Sequence, residues 1–159
     1  LQEIGTLLGF ISQRPDKKYN VGPDNLWMFP NDSHFVIFEC KNEVLSTRKY
    51  ISKEEVGQMN NHIGWFEKEY GDDKNVKYIH IHQTYMVSEK ANYTKDVAII
   101  SPKELNVLKT NIKGFIKEFY KYDLNSIDEN FINKAIETHK LTLKDIEEFY
   151  TISPIALQK

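Results

Sequence analysis

Apolar side chains recur along this chain at two spacings, and these predict a mixture of helices and strands. Spacings of three and four residues predict helices at residues 1–11, 52–70, 102–120, 128–140 and 143–151. Runs rich in β-branched and aromatic residues predict strands at 24–29, 35–40, 76–82 and 96–100. In the first helix the expected buried face consists of Ile4, Leu7, Leu8 and Ile11. This order predicts an α/β fold, with helices packed on a mixed four-stranded sheet.

A short polar sequence, Glu39-Cys40-Lys41, follows an apolar run that is typical of a strand buried on both faces. Strand alternation puts Glu39 and Lys41 on one face and Cys40 on the other. A charged pair at the end of a buried strand costs free energy unless its members are paired or bind an ion. Asp24 begins the preceding strand. If residues 30–33 form a hairpin loop, the register can set Asp24 beside Glu39.

Two carboxylates that converge in this way repel each other, and a hard divalent cation relieves the repulsion. Mg²⁺ is the natural candidate because it takes oxygen ligands, and the main-chain carbonyl of Cys40 offers a further one. Lys41 is then placed to stabilise negative charge that develops on a phosphate. The alternative is that an acid and a lysine two residues apart simply mark a strand end entering solvent.

Gly22-Pro23-Asp24 together with Glu39-Cys40-Lys41 resembles the PD-(D/E)xK nuclease superfamily, also called restriction-endonuclease-like. A longer set of residues, within roughly the first 70, resembles nuclease-like domains attached C-terminally to helicase-type ATPases. Its members are Leu8-Gly9-Phe10, Ser12, Arg14-Pro15, Leu26-Trp27, Phe38, Asn42-Glu43, Ile51-Ser52-Lys53 and Gln58. The resemblance implies an αβββαβ core, which agrees with the pattern above.

By this resemblance Asp24 and Glu39 are metal ligands and Lys41 is the catalytic lysine. Glu3 matches an extra acid that orients a metal-bound water in many members, and a solvated helix residue is the alternative. Gln58 matches a glutamine near the metal or substrate, and a surface glutamine is the alternative. The implied cofactor is Mg²⁺, for which Mn²⁺ can substitute. The implied partners are DNA and a covalently linked ATPase or helicase domain.

Basic side chains lie on both sides of the motif and are candidates for phosphate contacts. They are Arg14, Lys17, Lys18, Arg48, Lys49 and Lys53. We take Arg14, Lys53 and Ser12 as substrate-binding candidates, with plain solvated surface as the alternative. Lysines at 109, 113 and 117 form one helical stripe, for which a solvated face is the preferred interpretation.

His80 and His82 lie two apart on a predicted strand and point the same way. Such a pair can bind zinc, but no third ligand of suitable type is evident nearby in the sequence. We therefore favour edge or partly satisfied histidines over a metal site.

The composition narrows the class of protein. A formal net charge of -2 excludes a basic coat over the whole protein, so any polyanion site must be local. One cysteine makes neither an internal disulfide nor a cysteine-based zinc site. No apolar run approaches the roughly 20 residues that span a bilayer. We expect a soluble cytoplasmic protein in a reducing compartment, with no membrane partner.

The chain begins at Leu1 within a helical pattern, so we expect a domain excised from a longer protein. We predict a nuclease-like core at 1–124 and a helical extension at 125–159 packed on the same domain. The predicted function is metal-dependent hydrolysis of DNA phosphodiester bonds. The alternative is a non-cleaving nucleic-acid-binding or coupling module with the same fold. The intact set of Asp24, Glu39 and Lys41 favours activity.

Overall fold

The structure, a computed structural model, describes residues 1–30, 34–41, 47–123 and 126–157. The chain divides into two compact units. Unit 1 comprises Leu1–Ser101 with Ile152–Lys159, and unit 2 comprises Pro102–Thr151. The predicted boundary between residues 124 and 125 falls on residues outside the described ones, and it stays a prediction.

Within its described residues, unit 1 contains two sheets and three helices. The helices are α1 (Gln2–Leu7), α2 (Pro15–Tyr19) and α3 (Lys53–Tyr70). The strands are β1 (Ile11–Gln13), β2 (Asn25–Met28), β3 (Phe35–Cys40), β4 (Val76–Ile81), β5 (Met86–Val87), β6 (Val97–Ile100) and β7 (Ile155–Ala156).

The main sheet is mixed and has the strand order β1-β2-β3-β4-β6. The first three strands pair antiparallel, whereas β3, β4 and β6 pair parallel. The predicted α/β class and mixed sheet are therefore confirmed. In the part of the chain that the structure describes, this sheet has five strands rather than the predicted four, and the additional strand is β1 at its edge. A separate two-stranded sheet joins β5 to β7.

The predicted first helix, residues 1–11, is wrong at its end. The helix α1 stops at Leu7, and Ile11 begins strand β1. Leu7 is 46% exposed and Ile11 is 42% exposed, so neither belongs to a buried helical face. A three-residue strand is too short to show an alternating pattern, and the apolar spacing up to Ile11 therefore imitated a longer helix.

The helix α3 packs on one face of the main sheet, and Ser52 is its N-cap, as predicted. The Ser52 side chain and Glu55 form a reciprocal capping box at its N-terminus. The core between this helix and the sheet consists of Leu26, Phe35, Ile37, Met59, Ile63, Phe66, Tyr78 and Val97. Because α3 connects the parallel strands β3 and β4, it runs back along them. Its first turns therefore lie beside the carboxyl ends of both strands.

The helix α1 packs on the opposite face of the sheet, against Trp27. A β-carbon built on Gly5 lies 2.4 Å from the indole Nε1 of Trp27, so only glycine permits this approach. Phe10 stacks on the same indole, with ring centroids 5.1 Å apart. Phe38 of β3 also contacts the indole, with ring centroids 4.6 Å apart. These rings form the second apolar layer of unit 1.

Unit 2 is helical, as predicted for this part of the chain. It contains α4 (Pro102–Phe119), α5 (Glu129–Thr138) and a π-helical turn (Asp145–Phe149). The Tyr150 hydroxyl donates to the Lys140 carbonyl at 2.7 Å and accepts from the Asn111 amide at 2.7 Å. The lysine stripe of α4 is exposed, which agrees with a solvated face. Among the described helices of the chain, none is long and apolar enough to cross a membrane.

Candidate active site

Asp24 and Glu39 meet across the antiparallel pair of β2 and β3. The register pairs Asn25 with Phe38, and one further step sets Asp24 opposite Glu39. The backbone N–H of Cys40 donates to Asp24 Oδ2 at 2.7 Å. The proximity expected from the sequence is therefore present, although residues 31–33 of the expected hairpin loop lie outside the described residues.

The segment before Asp24 is held by a close contact at Gly22. Gly22 has φ +89°, a conformation that L side chains rarely adopt. A β-carbon there also lies 2.9 Å from the Trp65 ring. Pro23, which follows, is buried. Glycine and proline in this order thus fix the path of the chain into β2, which positions the Asp24 carboxylate.

Glu39 and Lys41 form an ion pair at the end of β3. Lys41 Nζ donates to Glu39 Oε1 at 2.6 Å. Two residues of α3 complete the arrangement. Gln58 Oε1 accepts a hydrogen bond from Lys41 Nζ, and His62 Nε2 lies 2.9 Å from Glu39 Oε2. Both oxygens of a carboxylate that is nearly buried, at 4% exposure, are therefore engaged.

The pKa values of Glu39 and Asp24 are shifted in opposite directions. Burial alone raises the pKa of Glu39, but the hydrogen bonds from His62 and Lys41 outweigh it and lower the pKa to about 2. The pKa of Asp24 is raised, mainly by burial and further by the charge of Glu39, while the N–H of Cys40 opposes the shift. Burial also raises the pKa of the Cys40 thiol to about 12, so it is neutral at physiological pH.

His80 and His82 extend this polar cluster onto β4. His80 is paired with Glu39 in the parallel register and is 0% exposed. Its Nδ1 lies 3.0 Å from the Tyr93 hydroxyl, and its Nε2 has no hydrogen-bond partner among the described residues. His82 Nε2 lies 3.4 Å from Glu55 Oε1. The sequence predicted edge or partly satisfied histidines. The edge position is wrong, because β4 lies between β3 and β6 in the sheet. Partial satisfaction agrees with His80, which has a partner at only one ring nitrogen among the described residues.

The donor set at Asp24 and Glu39 suits a hard cation. An ionised carboxylate has about four lone-pair sites, so the two hydrogen bonds to Glu39 leave sites on both oxygens. The pKa of Asp24 is raised mainly by burial and further by the negative charge of Glu39. A cation bound by the two carboxylates relieves this repulsion. No group of three His, Cys, Asp or Glu side chains within the described residues is arranged to hold a metal ion. Mg²⁺ needs only one or two carboxylates, because water completes its coordination.

Several predicted site residues lie away from this cluster. Glu3 of α1 is exposed, and no hydrogen bond or ion pair joins it to the cluster within the described part of the chain. Lys53 is exposed at the start of α3 and also makes no such contact there. Asn42 and Glu43, which belong to the sequence resemblance, lie outside the described residues.

Arg14 and Ser12 lie on the flank of the cluster. Arg14 forms a bidentate ion pair with Asp16, with hydrogen bonds of 3.2 and 2.6 Å. This pair raises the pKa of Arg14, and the charge of Asp24 adds to the effect. Ser12 Oγ donates to Asn25 Oδ1 at 3.4 Å. Both line an open cleft, together with Gln2, Gln13, Lys17 and Lys18. These six side chains define what we term the basic cleft.

The sequence prediction missed two residues of the cluster, His62 and Glu55. Together with Gln58 they stand at positions i, i+3 and i+7 of α3 and therefore share one helical face. That spacing is present in the sequence. The spacing indicates a site only together with the position of β3 and β4, which end beneath the first turns of α3.

Comparison with known proteins gives no relative from which a function is transferred. No protein-family model matches the chain, and neither the curated proteins nor the solved structures contain a match. The class of protein must therefore be argued from the site itself.

Proposed function

We propose that this chain is a metal-dependent nuclease domain that hydrolyses DNA phosphodiester bonds, with a restriction-endonuclease-like core. The observation that carries the proposal is the meeting of Asp24, Glu39 and Lys41 at one end of the sheet. These are the positions that the sequence resemblance marks as two metal ligands and the catalytic lysine. They come from segments 15 residues apart in the chain, and each side chain makes a hydrogen bond within the cluster.

In this proposal Asp24 and Glu39 hold Mg²⁺, with the Cys40 carbonyl as a further oxygen donor. When bound, Mg²⁺ supplies Lewis-acid polarisation of the scissile phosphate. Lys41 carries a positive charge beside Glu39, where it offsets the negative charge that develops on the phosphate. Gln58 accepts a hydrogen bond from the same ammonium group and so restricts its position.

DNA is the proposed substrate, and the basic cleft is the proposed path for its backbone. Arg14, Lys17 and Lys18 bring positive charge to the flank of Asp24 in a chain whose net charge is negative. Local basic clefts of this kind attract phosphates without base specificity. A covalently linked helicase-type ATPase and a cytoplasmic location complete the proposal, on the strength of the sequence resemblance.

The test is cleavage of plasmid, linear and single-stranded DNA with Mg²⁺, with Mn²⁺ or with EDTA. We expect metal-dependent cleavage by the wild-type protein and none by Lys41→Ala, whose thermal unfolding should remain cooperative. Lys68→Ala is the matched control, because it removes an exposed lysine from the far end of α3. Unchanged Mg²⁺-dependent cleavage by Lys41→Ala contradicts the assignment.

A second function, a nucleic-acid-binding module that does not cleave, is favoured by one observation. Both oxygens of Glu39 are hydrogen-bonded within the protein, to Lys41 and His62, so the ion pair is satisfied without a cation. In that case DNA binds in a salt-sensitive manner and no metal or DNA form supports cleavage. The same set of assays therefore separates the two functions.

A further inference from the structure

The helix α3 contacts both members of the Glu39–Lys41 pair. Gln58 accepts from Lys41, and His62, one turn later, reaches Glu39. Side chains four residues apart lie one above the other on a helix. A single rigid element therefore contacts both charged groups, although they stand two residues apart on the strand.

The two hydrogen-bond partners of Glu39 differ in stiffness. Lys41 reaches Oε1 through a long flexible stem and is 21% exposed. His62 reaches Oε2 through a planar ring with two torsions and is 19% exposed. A ring on a helix loses less conformational entropy on being held than a lysine does. His62 is therefore the partner that most firmly fixes the rotation of the carboxylate about its last bond.

We propose that His62 is a positioning residue for Glu39. It donates from Nε2 to Glu39 Oε2 and thereby fixes the direction of the lone pairs that remain for a divalent cation. This inference rests on the proposed function, because it assumes that Glu39 holds a metal. It assigns His62 no contact with the metal or with DNA. Its effect is that of an outer hydrogen-bond partner, which orients a ligand rather than acting as one.

Metal binding, measured without DNA, tests the proposal directly. Mg²⁺ and Mn²⁺ are titrated by calorimetry into the wild-type protein, His62→Ala, His62→Gln and the matched control Asn61→Ala. Asn61 is the exposed neighbour of His62 on α3. We expect His62→Ala to bind about 10-fold more weakly or worse, as is usual for a lost outer partner. His62→Gln keeps an N–H donor and should recover part of the loss, and Asn61→Ala should match the wild type.

Two further measurements keep the proposal decidable if His62→Ala folds poorly. Nitrogen-15 spectra of the wild-type imidazole should show a proton on Nε2 of His62, and a ring without it overturns the proposal. In steady-state cleavage, His62→Gln should lower kcat relative to the wild type and leave KM for DNA unchanged. Equal metal affinity in all four proteins also overturns it.

The outcomes distinguish this inference from the proposed function. A wild-type protein that binds Mg²⁺ in a manner dependent on His62 but cleaves no DNA contradicts only the function. A wild-type protein that binds neither Mg²⁺ nor Mn²⁺ contradicts both. Cleavage that requires Lys41 but whose metal affinity is insensitive to His62 contradicts only the positioning role.

Discussion

His80 stands opposite Glu39 on the neighbouring parallel strand, and both side chains are buried. Burial lowers the pKa of His80 to about 4, and the nearby His82 adds to the shift. The pKa of Glu39 is about 2, because its hydrogen bonds outweigh its burial. At neutral pH the site therefore contains an ionised carboxylate beside a neutral imidazole. The lowering of the His80 pKa below the ordinary histidine value makes the folded state sensitive to mild acid.

We expect the wild-type protein to lose stability as the pH falls from 6.5 towards 4. In this window the unfolded state protonates His80, because the ordinary pKa of a histidine is 6.5, while the folded state resists protonation until about pH 4. Stability therefore rises with pH across the window. The full shift corresponds to about 3 kcal/mol of unfolding free energy. Urea unfolding at pH 7.5 and at pH 5 should show about 2 kcal/mol of this loss, because pH 5 lies inside the window.

His80→Phe is the comparison for this prediction. The substitution removes the titrating group and keeps a ring of similar size, so the loss between pH 7.5 and 5 should shrink markedly. Glu39 remains in both proteins, and its own destabilisation appears only between about pH 4.5 and 2. Identical pH slopes in the two proteins would show that His80 is not the group responsible.

The alignment of Asp24 with Glu39 was predictable because it depends on local rules. Strand alternation sets Glu39 and Lys41 on one face, and an antiparallel partner of matching length brings Asp24 alongside. The capping box at Ser52 is equally local, since its two partners are three residues apart. Each of these features needs no knowledge of which distant elements pack together.

The remaining features depend on tertiary packing, which short-range patterns do not report. The contact of His62 with Glu39 forms only if α3 crosses β3 at one particular position along the strand. The edge strand β1 has three residues, and its polar Ser12 and Gln13 carry no periodic signal. The sequence resemblance suggested Glu3 as a site residue, yet its helix presents it to solvent. The position of a residue around the helix, rather than its type, decides whether its side chain faces the site or the solvent.

We expect that any atom added at Gly5 disrupts the contact between α1 and Trp27. In Gly5→Ala the new methyl group meets the indole at 2.4 Å, which forces the helix or the ring to move. Overpacking of this kind costs about 1–3 kcal/mol. Gly57→Ala is the matched control, because its site on α3 is open and alanine favours helix. Urea unfolding should show destabilisation for Gly5→Ala alone, and equal stabilities would contradict the packing argument.

Asp24→Asn should remove stabilisation by Mg²⁺ while leaving the fold intact. The amide oxygen of Asn still accepts from the Cys40 N–H, so we expect the metal-free stability to change by no more than about 1 kcal/mol. At a Mg²⁺ concentration 100 times its Kd, the wild type should gain about 2.7 kcal/mol and the variant nothing. Asp96→Asn, an exposed substitution, is the control. A gain in Asp24→Asn equal to the wild type would exclude Asp24 as a ligand.

The basic cleft should contribute the salt-dependent part of DNA binding. Lys17 and Lys18 are exposed at its edge, so their joint replacement by alanine should leave stability unchanged and weaken binding. Each lost phosphate contact should reduce the slope of log affinity against log salt by about one. Fluorescence anisotropy in EDTA, across a salt series, measures this slope without cleavage. The control replaces Lys109 and Lys113 of the exposed α4 stripe, and an equal loss of slope in that variant would point to general electrostatic attraction rather than to the cleft.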